Sequence, residues 1–379
     1  MPRYGPQVLG GAETHVRALA ERATPAGWSV EVATTCALDH TTWANAVEPG
    51  TLTVEGIPVH RFPVGPRDAA RYEALHGPVL RGDIDYPGEL EWLAQSVTSP
   101  AMEAFLEREA GRFDLILLSP YLFGTTLWGA QIAPDRTGLM PCLHDEPYAR
   151  LRTVAAVIEG TRGCMFNAEA EERFARGLFR VPEGGVVGMG FDDPGPAPPP
   201  PDAAPDGPYV VYAGRLEEGK GVHELVEHVT AMRERTPSAP RLLLLGRGGY
   251  RVPEASRPHV VSAGFVSEAD KRALIAGAVA LVNASRMESM SIVQLEAWAE
   301  GVPSVVSAGS AVMADHAARS GGGLVFADGA QFAEAVLGLA GDPAEARRMG
   351  ARGREWALDV YGWPAVSARF RDVAERLAA

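Results

Sequence analysis

The sequence predicts an α/β protein built from two doubly wound halves, and three observations carry that prediction. Short apolar runs alternate with helix-like segments along the whole chain, which is the signature of parallel βαβ units. A proline-rich stretch, Pro194-Gly-Pro-Ala-Pro-Pro-Pro-Pro201 continuing to Pro208, cuts this pattern nearly in half, and repeated proline favours an extended, semi-rigid linker. At 379 residues the chain is long for one core and comfortable for two, and its 46% hydrophobic and 22% charged residues are ordinary for a globular protein. The expected domains are 1–193 and 209–360, with a linker at 194–208 and a closing helix at 361–379 that crosses back to the first domain.

In the first half the strand candidates are 29–34, 115–118, 137–141, 163–167 and 185–188, with a β-ribbon made of 51–54 and 59–62. In the second half they are 209–213, 242–245, 260–263, 280–283, 304–307 and 324–326, each followed by a glycine-containing turn or a helical stretch. Gly10-Gly11 opens a helix close to the start, yet in a Rossmann-like half such a turn follows a first, central strand. Met1 to Pro6 is unsuited to supply that strand, so a short apolar β-strand is expected to precede residue 1 in the natural product.

The formal net charge of −13 argues against a nucleic-acid partner, since phosphate-backbone binding relies on concentrated Lys and Arg. No stretch reaches the roughly 18 to 20 apolar residues that span a bilayer, and the start lacks a basic-then-apolar signal pattern, so a cytoplasmic protein is expected. Cys36, Cys142 and Cys164 lack metal-ligand spacing and read as packed thiols. Asp83-Ile-Asp85 has the form of a metal-holding Asp-x-Asp but lies between Pro- and Gly-rich flanks, so no metal site is assigned. Gly246-Arg-Gly-Gly249 follows an apolar strand without the full dinucleotide spacing, and reads as a loop beside a ligand cleft.

Two segments carry the chemistry. In Ser285-Arg-Met-Glu288-Ser-Met-Ser-Ile-Val-Gln-Leu-Glu296-Ala-Trp-Ala-Glu300-Gly301 a strand exit meets a helix with polar cap candidates Ser289 and Ser291. Such a helix start presents unpaired N–H groups and the positive end of the dipole, which suits a diphosphate. Two carboxylates there would repel phosphate, so Glu288 and Glu296 are assigned to sugar and ribose hydroxyls, which need strong acceptors. A solvated acidic helix face is the alternative. In Tyr209-Val-Val-Tyr-Ala-Gly214-Arg215-Leu-Glu-Glu-Gly-Lys220-Gly221 a buried-type strand ends in glycine and then delivers two cations. Cations at the carboxyl end of a parallel strand point towards the crevice where α/β proteins bind ligands, and Arg215 with Lys220 suits a leaving diphosphate; a surface charge pair is the bland alternative.

Taken together, the Gly-Arg-x4-Lys-Gly element, the Glu-x7-Glu element and the early Gly-Gly-Ala-Glu resemble family-4 retaining glycosyltransferases of the GT-B fold (glycosyl transferases group 1). The resemblance extends over Phe62, His144-Asp-Glu-Pro147, Gly264-Phe-Val266 and Tyr361-Gly-Trp363. It implies two facing Rossmann-like domains with a cleft between them, an N-terminal acceptor-binding domain and a C-terminal nucleotide-sugar-binding domain. It implies that Gly10 and Gly11 admit backbone amides to the diphosphate, a place where a side chain would obstruct. Arg215 and Lys220 are implied to bind the phosphates, with the N–H groups of Met290, Ser291 and Ile292. Glu288 is implied to contact the transferred sugar, Glu296 the ribose, the backbone around Phe265 and Val266 the base, and His144 the sugar from the other side of the cleft. The expected catalytic set is thus Glu288, Lys220, Arg215 and His144.

Two departures stand out. Members of that family commonly have Phe-Gly where this chain has Met290-Ser291, which changes the room for the donor sugar but keeps the N–H groups. In place of an Asn-Gly-Val-Asp turn this chain reads Met189-Gly190-Phe191-Asp192. The implied reaction is transfer of a hexose-type sugar from a nucleoside-diphosphate sugar, UDP- or GDP-linked, to a polar small-molecule or glycan acceptor. The anomeric configuration is retained, with no metal and no cofactor beyond the sugar nucleotide as co-substrate. Acceptor contacts are expected from the first domain, at Trp92, Tyr121 and Thr125. A nucleotide-sugar epimerase and a non-catalytic nucleotide-sugar-binding protein are the competing readings.

Overall fold

A computed structural model describes residues 1–8, 10–25, 27–201 and 204–379. The chain forms two compact units, one of Met1–Gly190 with Trp363–Ala379 and one of Phe191–Gly362. Two residues of the proline-rich linker, Asp202 and Ala203, lie outside the described residues.

The first unit contains β1 (Val32–Thr35), β2 (Gly50–Val54), β3 (Ile57–Phe62), β4 (Ile116–Leu118), β5 (Thr137–Leu139), β6 (Gly163–Phe166) and β7 (Gly184–Val186). They form two sheets, one ordered β1-β3-β2 and the other β4-β5-β6-β7. β2 and β3 are the expected antiparallel ribbon, with Val54 opposite Ile57, whereas β1–β3 and every pair in the second sheet are parallel. β6 is buried at every position, as expected for a parallel strand covered on both faces. The Trp363–Ala378 helix clusters with this unit and packs Val366, Phe370 and Leu377 against Met140 and Met165. Gly190 makes room for it, because a Cβ there would lie 2.4 Å from the Trp363 ring.

The second unit is one six-stranded parallel sheet of β8 (Tyr209–Ala213), β9 (Arg241–Leu245), β10 (Val260–Gly264), β11 (Leu281–Asn283), β12 (Ser304–Ser307) and β13 (Gly323–Phe326). Its order is β10-β9-β8-β11-β12-β13, so the chain builds one wing from β8, returns to the middle, and builds the other from β11. The strand order reverses between β8 and β11, and open α/β sheets bind ligands at the carboxyl ends of such strands. The two chemistry-bearing segments are the ones that leave β8 and β11. Val210, Val211, Leu242 to Leu244, Val282 and Val305 are fully buried, which explains why these strands read as unbroken apolar runs rather than alternating ones.

Candidate active site

Glycine lets three backbone segments converge at the switch point of the second unit. Gly221 has φ +67° and opens the Val222–Arg235 helix; a Cβ there would lie 2.6 Å from the Ala284 carbonyl oxygen beyond β11. Gly246, at the exit of β9, leaves only 1.8 Å between a would-be Cβ and the Gly214 oxygen. The loop that follows is fastened to the exit of β8, with Leu216 N donating to Arg247 O (2.8 Å) and Tyr250 N to Leu216 O (3.0 Å). The Gly246-Arg-Gly-Gly249 element is therefore a brace beside the site.

This convergence sets Lys220 against Glu288. Lys220 Nζ donates to Glu288 Oε1 at 2.8 Å, and the two side chains are 24% and 14% exposed. Arg215, on the same loop, is open to solvent and pairs with Glu217 at 2.9 Å, while its carbonyl accepts from the Tyr212 hydroxyl (2.8 Å). Burial, reinforced by the Glu288 charge, pushes the Tyr212 phenol far above its usual range. Tyr212 is thus a fixed hydrogen-bond donor beneath the loop.

Ser291 is the N-cap residue of the Ile292–Ala299 helix, yet its side chain accepts no cap hydrogen bond. Its hydroxyl is buried without a partner among the described residues. The Ser291 carbonyl takes Gln294 N and Leu295 N, and the first-turn amides of Ile292 and Val293 have no intrahelical partner, as at any helix start. The helix itself is rigidly held. Gln294 Nε2 donates to Ser304 Oγ (3.1 Å) and Met313 O (3.3 Å), and Trp298 Nε1 donates to Gly322 O (2.7 Å). A capping serine that does not cap, on a fixed helix, leaves donors and positive dipole for an anion. Met290, beside it, is buried.

Glu296, one turn along, is held by a residue the sequence reading missed. Lys271 Nζ donates to Glu296 Oε1 at 2.9 Å and lies 3.0 Å from Glu268. Burial raises the Glu296 carboxyl against the pull of the Lys271 ammonium. Lys271 keeps its proton more firmly than usual: burial opposes this, but Glu296 and Glu268 outweigh it. Phe265, after β10, is 62% exposed, with the Arg247 guanidinium 4.7 Å from its ring centre. Val266, next to it, is partly buried in the core below. An exposed aromatic ring held by a cation is a ready stacking surface for a planar ligand.

In the first unit, Gly10 is the N-cap residue of the Gly11–Ala18 helix. A Cβ on Gly10 would collide with the Glu13 carboxylate, which is paired with Arg3, whereas Gly11 faces open space. His144 and Tyr121 meet on Glu146, a carboxylate not singled out from sequence: Tyr121 OH donates to Oε1 at 2.6 Å, and His144 Nδ1 lies 3.3 Å from the same oxygen. These residues follow β4 and β5, at the carboxyl edge of the second sheet. Thr125 is buried, its hydroxyl unpartnered among the described residues.

Trp92 is a correction. It was expected to meet an acceptor, but it is 1% exposed and sandwiched between Tyr72 (ring centres 5.3 Å apart) and Tyr148 (5.5 Å). It is a core residue. Asp85 accepts from Gly88 N as a helix cap and Asp83 pairs with Arg81, so the Asp-x-Asp carboxylates have structural partners.

Residues 207–342 match the family of glycosyl transferases, group 1. Over its whole length the fold resembles sucrose-phosphate synthase from Thermosynechococcus elongatus, with a TM-score of 0.70, 21% identity, and 97% of this chain and 94% of that chain covered. The fold is that of the GT-B glycosyltransferases, and its second unit carries the match to glycosyl transferases group 1. In sequence it is 28% identical to the D-inositol 3-phosphate glycosyltransferase of Jonesia denitrificans over 345 residues, 79% of this chain and 75% of that protein. Anabaena Alr3699/HepE in complex with UDP-glucose shares the fold with a TM-score of 0.61 and 18% identity, over 86% of each chain. The matched region spans β8 to the end of the helix after β13, and so contains Arg215, Lys220, Phe265, Glu288 and Glu296.

Proposed function

We propose that this glycosyltransferase takes a hexose-type sugar from a nucleoside-diphosphate sugar held by its second unit and passes it to a polar acceptor hydroxyl, with retention of anomeric configuration. The observation that carries this reading is the meeting of Lys220 and Glu288 beside the uncapped start of the Ile292–Ala299 helix. A cation, free amides and a carboxylate are what a diphosphate joined to a polyol needs, in that order. The UDP-glucose bound by the HepE structure supports the donor class.

In this mechanism the diphosphate takes over Lys220 and the amides of Ser291 and Ile292, with Arg215 closing on its outer oxygens. Glu288, released from Lys220, accepts hydrogen bonds from sugar hydroxyls. Glu296, oriented by Lys271, accepts from the ribose, and the base stacks near Phe265. The bond from the anomeric carbon to the diphosphate oxygen breaks as the acceptor oxygen attacks from the same face, and the acceptor proton passes to the departing phosphate oxygen. Positive charge develops on the sugar ring and negative charge on the diphosphate, where Lys220, Arg215 and the helix amides act. His144 and Tyr121, gathered on Glu146, are the sugar- and acceptor-side groups of the first unit.

Calorimetric titration with UDP and with GDP, repeated on Lys220→Ala, tests the donor site. The expected result is micromolar binding of one nucleotide that Lys220→Ala weakens at least 30-fold. Equal binding by the variant, or binding of neither nucleotide, would overturn the assignment.

A further inference from the structure

The second unit carries a cavity of about 570 Å³ that the donor site does not use. Arg247, Arg251 and Arg257 line it, no carboxylate does, and Lys220, Phe265, Glu288 and Glu296 are not part of its lining. It belongs to one face of the sheet. Leu244 and Val260, on its floor, pack into the core shared with the Val222–Arg235 helix, whereas Val266, beside the position assigned to the base, packs into the core of the opposite face, as the alternation of side chains along a strand requires. The walls come from two segments around β10, the edge strand. The loop that leaves β9 folds back onto Leu216, and the short helix Glu254–His259 delivers Arg257 just before β10.

The charge of this lining sets it apart. The chain has a net charge of −13, and Arg215, Arg272, Arg286, Arg348 and Arg354 of the same unit each pair with a carboxylate. Among the described residues, Arg247, Arg251 and Arg257 pair with none. Arg247 lies against the Phe265 ring, Arg251 Nη1 donates to Tyr250 O at 3.4 Å, and Arg257 has no side-chain partner. Cations gathered round one cavity repel one another, and an anion among them removes that cost. Gly248 adds a backbone donor: its N–H has no partner among the described residues, and a Cβ there would lie 2.1 Å from the Leu216 carbonyl oxygen, so glycine is what lets the loop lie this close. Tyr250 and Val252, packed against the core below, supply an apolar wall beside the cations.

We propose that this cavity binds a small phosphate monoester at a site separate from the nucleotide. The three guanidiniums and the Gly248 amide take the phosphate, and the Tyr250–Val252 wall takes the body of the ligand. Guanidinium forks match phosphate oxygens two at a time, and a dianion answers several cations better than a single carboxylate does. The volume falls in the range of roughly 300–1,000 Å³ that small-molecule sites occupy. The Gly246-Arg-Gly-Gly249 element, which lacks dinucleotide spacing, thus serves as a glycine-rich anion loop on the face of the sheet away from the base.

Phenyl phosphate is the probe, titrated calorimetrically into the parent, into Lys220→Ala and into the double variant Arg251→Gln/Arg257→Gln, with inorganic phosphate and sulfate beside it and UDP and GDP as the donor-site control. Phenyl phosphate should bind the parent and Lys220→Ala alike, and more tightly than either inorganic anion. Its affinity should fall about tenfold or more in the double variant, whose melting curve stays that of the parent. Nucleotide affinity of the double variant should stay within about threefold, since solvent and salt screen charges on the far face of the sheet. Absence of phenyl phosphate binding to the parent overturns the proposal. So does binding that Lys220→Ala abolishes and the double variant keeps, which places the probe in the donor site. Sulfate bound as tightly as phenyl phosphate means an adventitious ion only, and loss of nucleotide together with the probe in the double variant means that the cavity is part of the donor site; either result overturns it equally.

Discussion

Replacing Glu288 by Gln separates the two partners of the Lys220–Glu288 pair by their effect on nucleotide and on sugar. In the free protein the carboxylate holds the Lys220 ammonium at 2.8 Å, so a diphosphate must compete with Glu288 for the same cation. It must also accept Glu288 as a neighbouring negative charge. At an effective dielectric of about 20, two like charges about 6 Å apart repel by roughly 3 kcal/mol. Both side chains are partly solvated, and glutamine still offers Lys220 a carbonyl oxygen, so most of that repulsion is offset; about 1 kcal/mol in favour of the nucleotide remains. Glu288→Gln should therefore bind the bare nucleoside diphosphate about fivefold more tightly. The same change weakens an acceptor for sugar hydroxyls from charged to neutral, a loss of about 1–1.5 kcal/mol per hydrogen bond, so kcat/KM for the nucleotide sugar should fall about 5- to 13-fold. Calorimetry with the bare nucleotide and initial-rate measurement with the full donor read the two effects apart. If Glu288→Gln weakens the bare nucleotide as Lys220→Ala does, Glu288 serves to hold Lys220 and the sugar assignment is wrong.

Three further outcomes follow from the same geometry. Lys271→Met removes the partner of the partly buried Glu296 carboxylate, which should cost about 1–2 kcal/mol in unfolding free energy, between an exposed and a fully buried pair, and weaken nucleotide binding; a urea midpoint within error of the parent would contradict the pairing. Ser291→Asp supplies the missing cap and a negative charge at the helix start, so the protein should be more stable by about 1 kcal/mol in chemical denaturation while losing nucleotide binding by calorimetry. Burial lowers the pKa of His316 from 6.5 to about 4 and that of His15 to about 3. The unfolded chain therefore takes up these protons first, and stability present above pH 6.5 is lost as the pH falls towards 4, by up to about 1.4 kcal/mol per pH unit for each group. Urea unfolding of His316→Gln between pH 7 and 4.5 should show a shallower decline than the parent, and equal slopes would refute the assignment.

The strands were legible because each is a short apolar run closed by glycine or a helical stretch, and burial on both faces removes the alternation that would otherwise confuse the reading. The Arg215–Lys220 and Glu288–Glu296 segments were legible for a related reason: each leaves a buried strand abruptly and is rich in groups that no core would tolerate. Lys271 was not. It sits in a helix between Asp270 and Arg272, where the charge pattern reads as a solvated face, and only the sheet order brings Glu296 within reach. Glu146 was hidden the same way, since its partner Tyr121 arrives from the turn after a different strand. Trp92 misled because its own segment is acidic and Gly- and Pro-flanked, while the two rings that bury it, Tyr72 and Tyr148, come from 20 residues before and 56 residues after it.

Retaining transfer from a nucleotide sugar is tested most directly by following the anomeric proton by NMR, with the protein, the donor whose base the titration identifies, and a panel of polyol and glycan acceptors. The account predicts that the donor's α-anomeric signal is replaced by an α-linked product signal at a rate that collapses in Lys220→Ala. A β-linked product, or release of an altered nucleotide sugar with no glycoside formed, would contradict it.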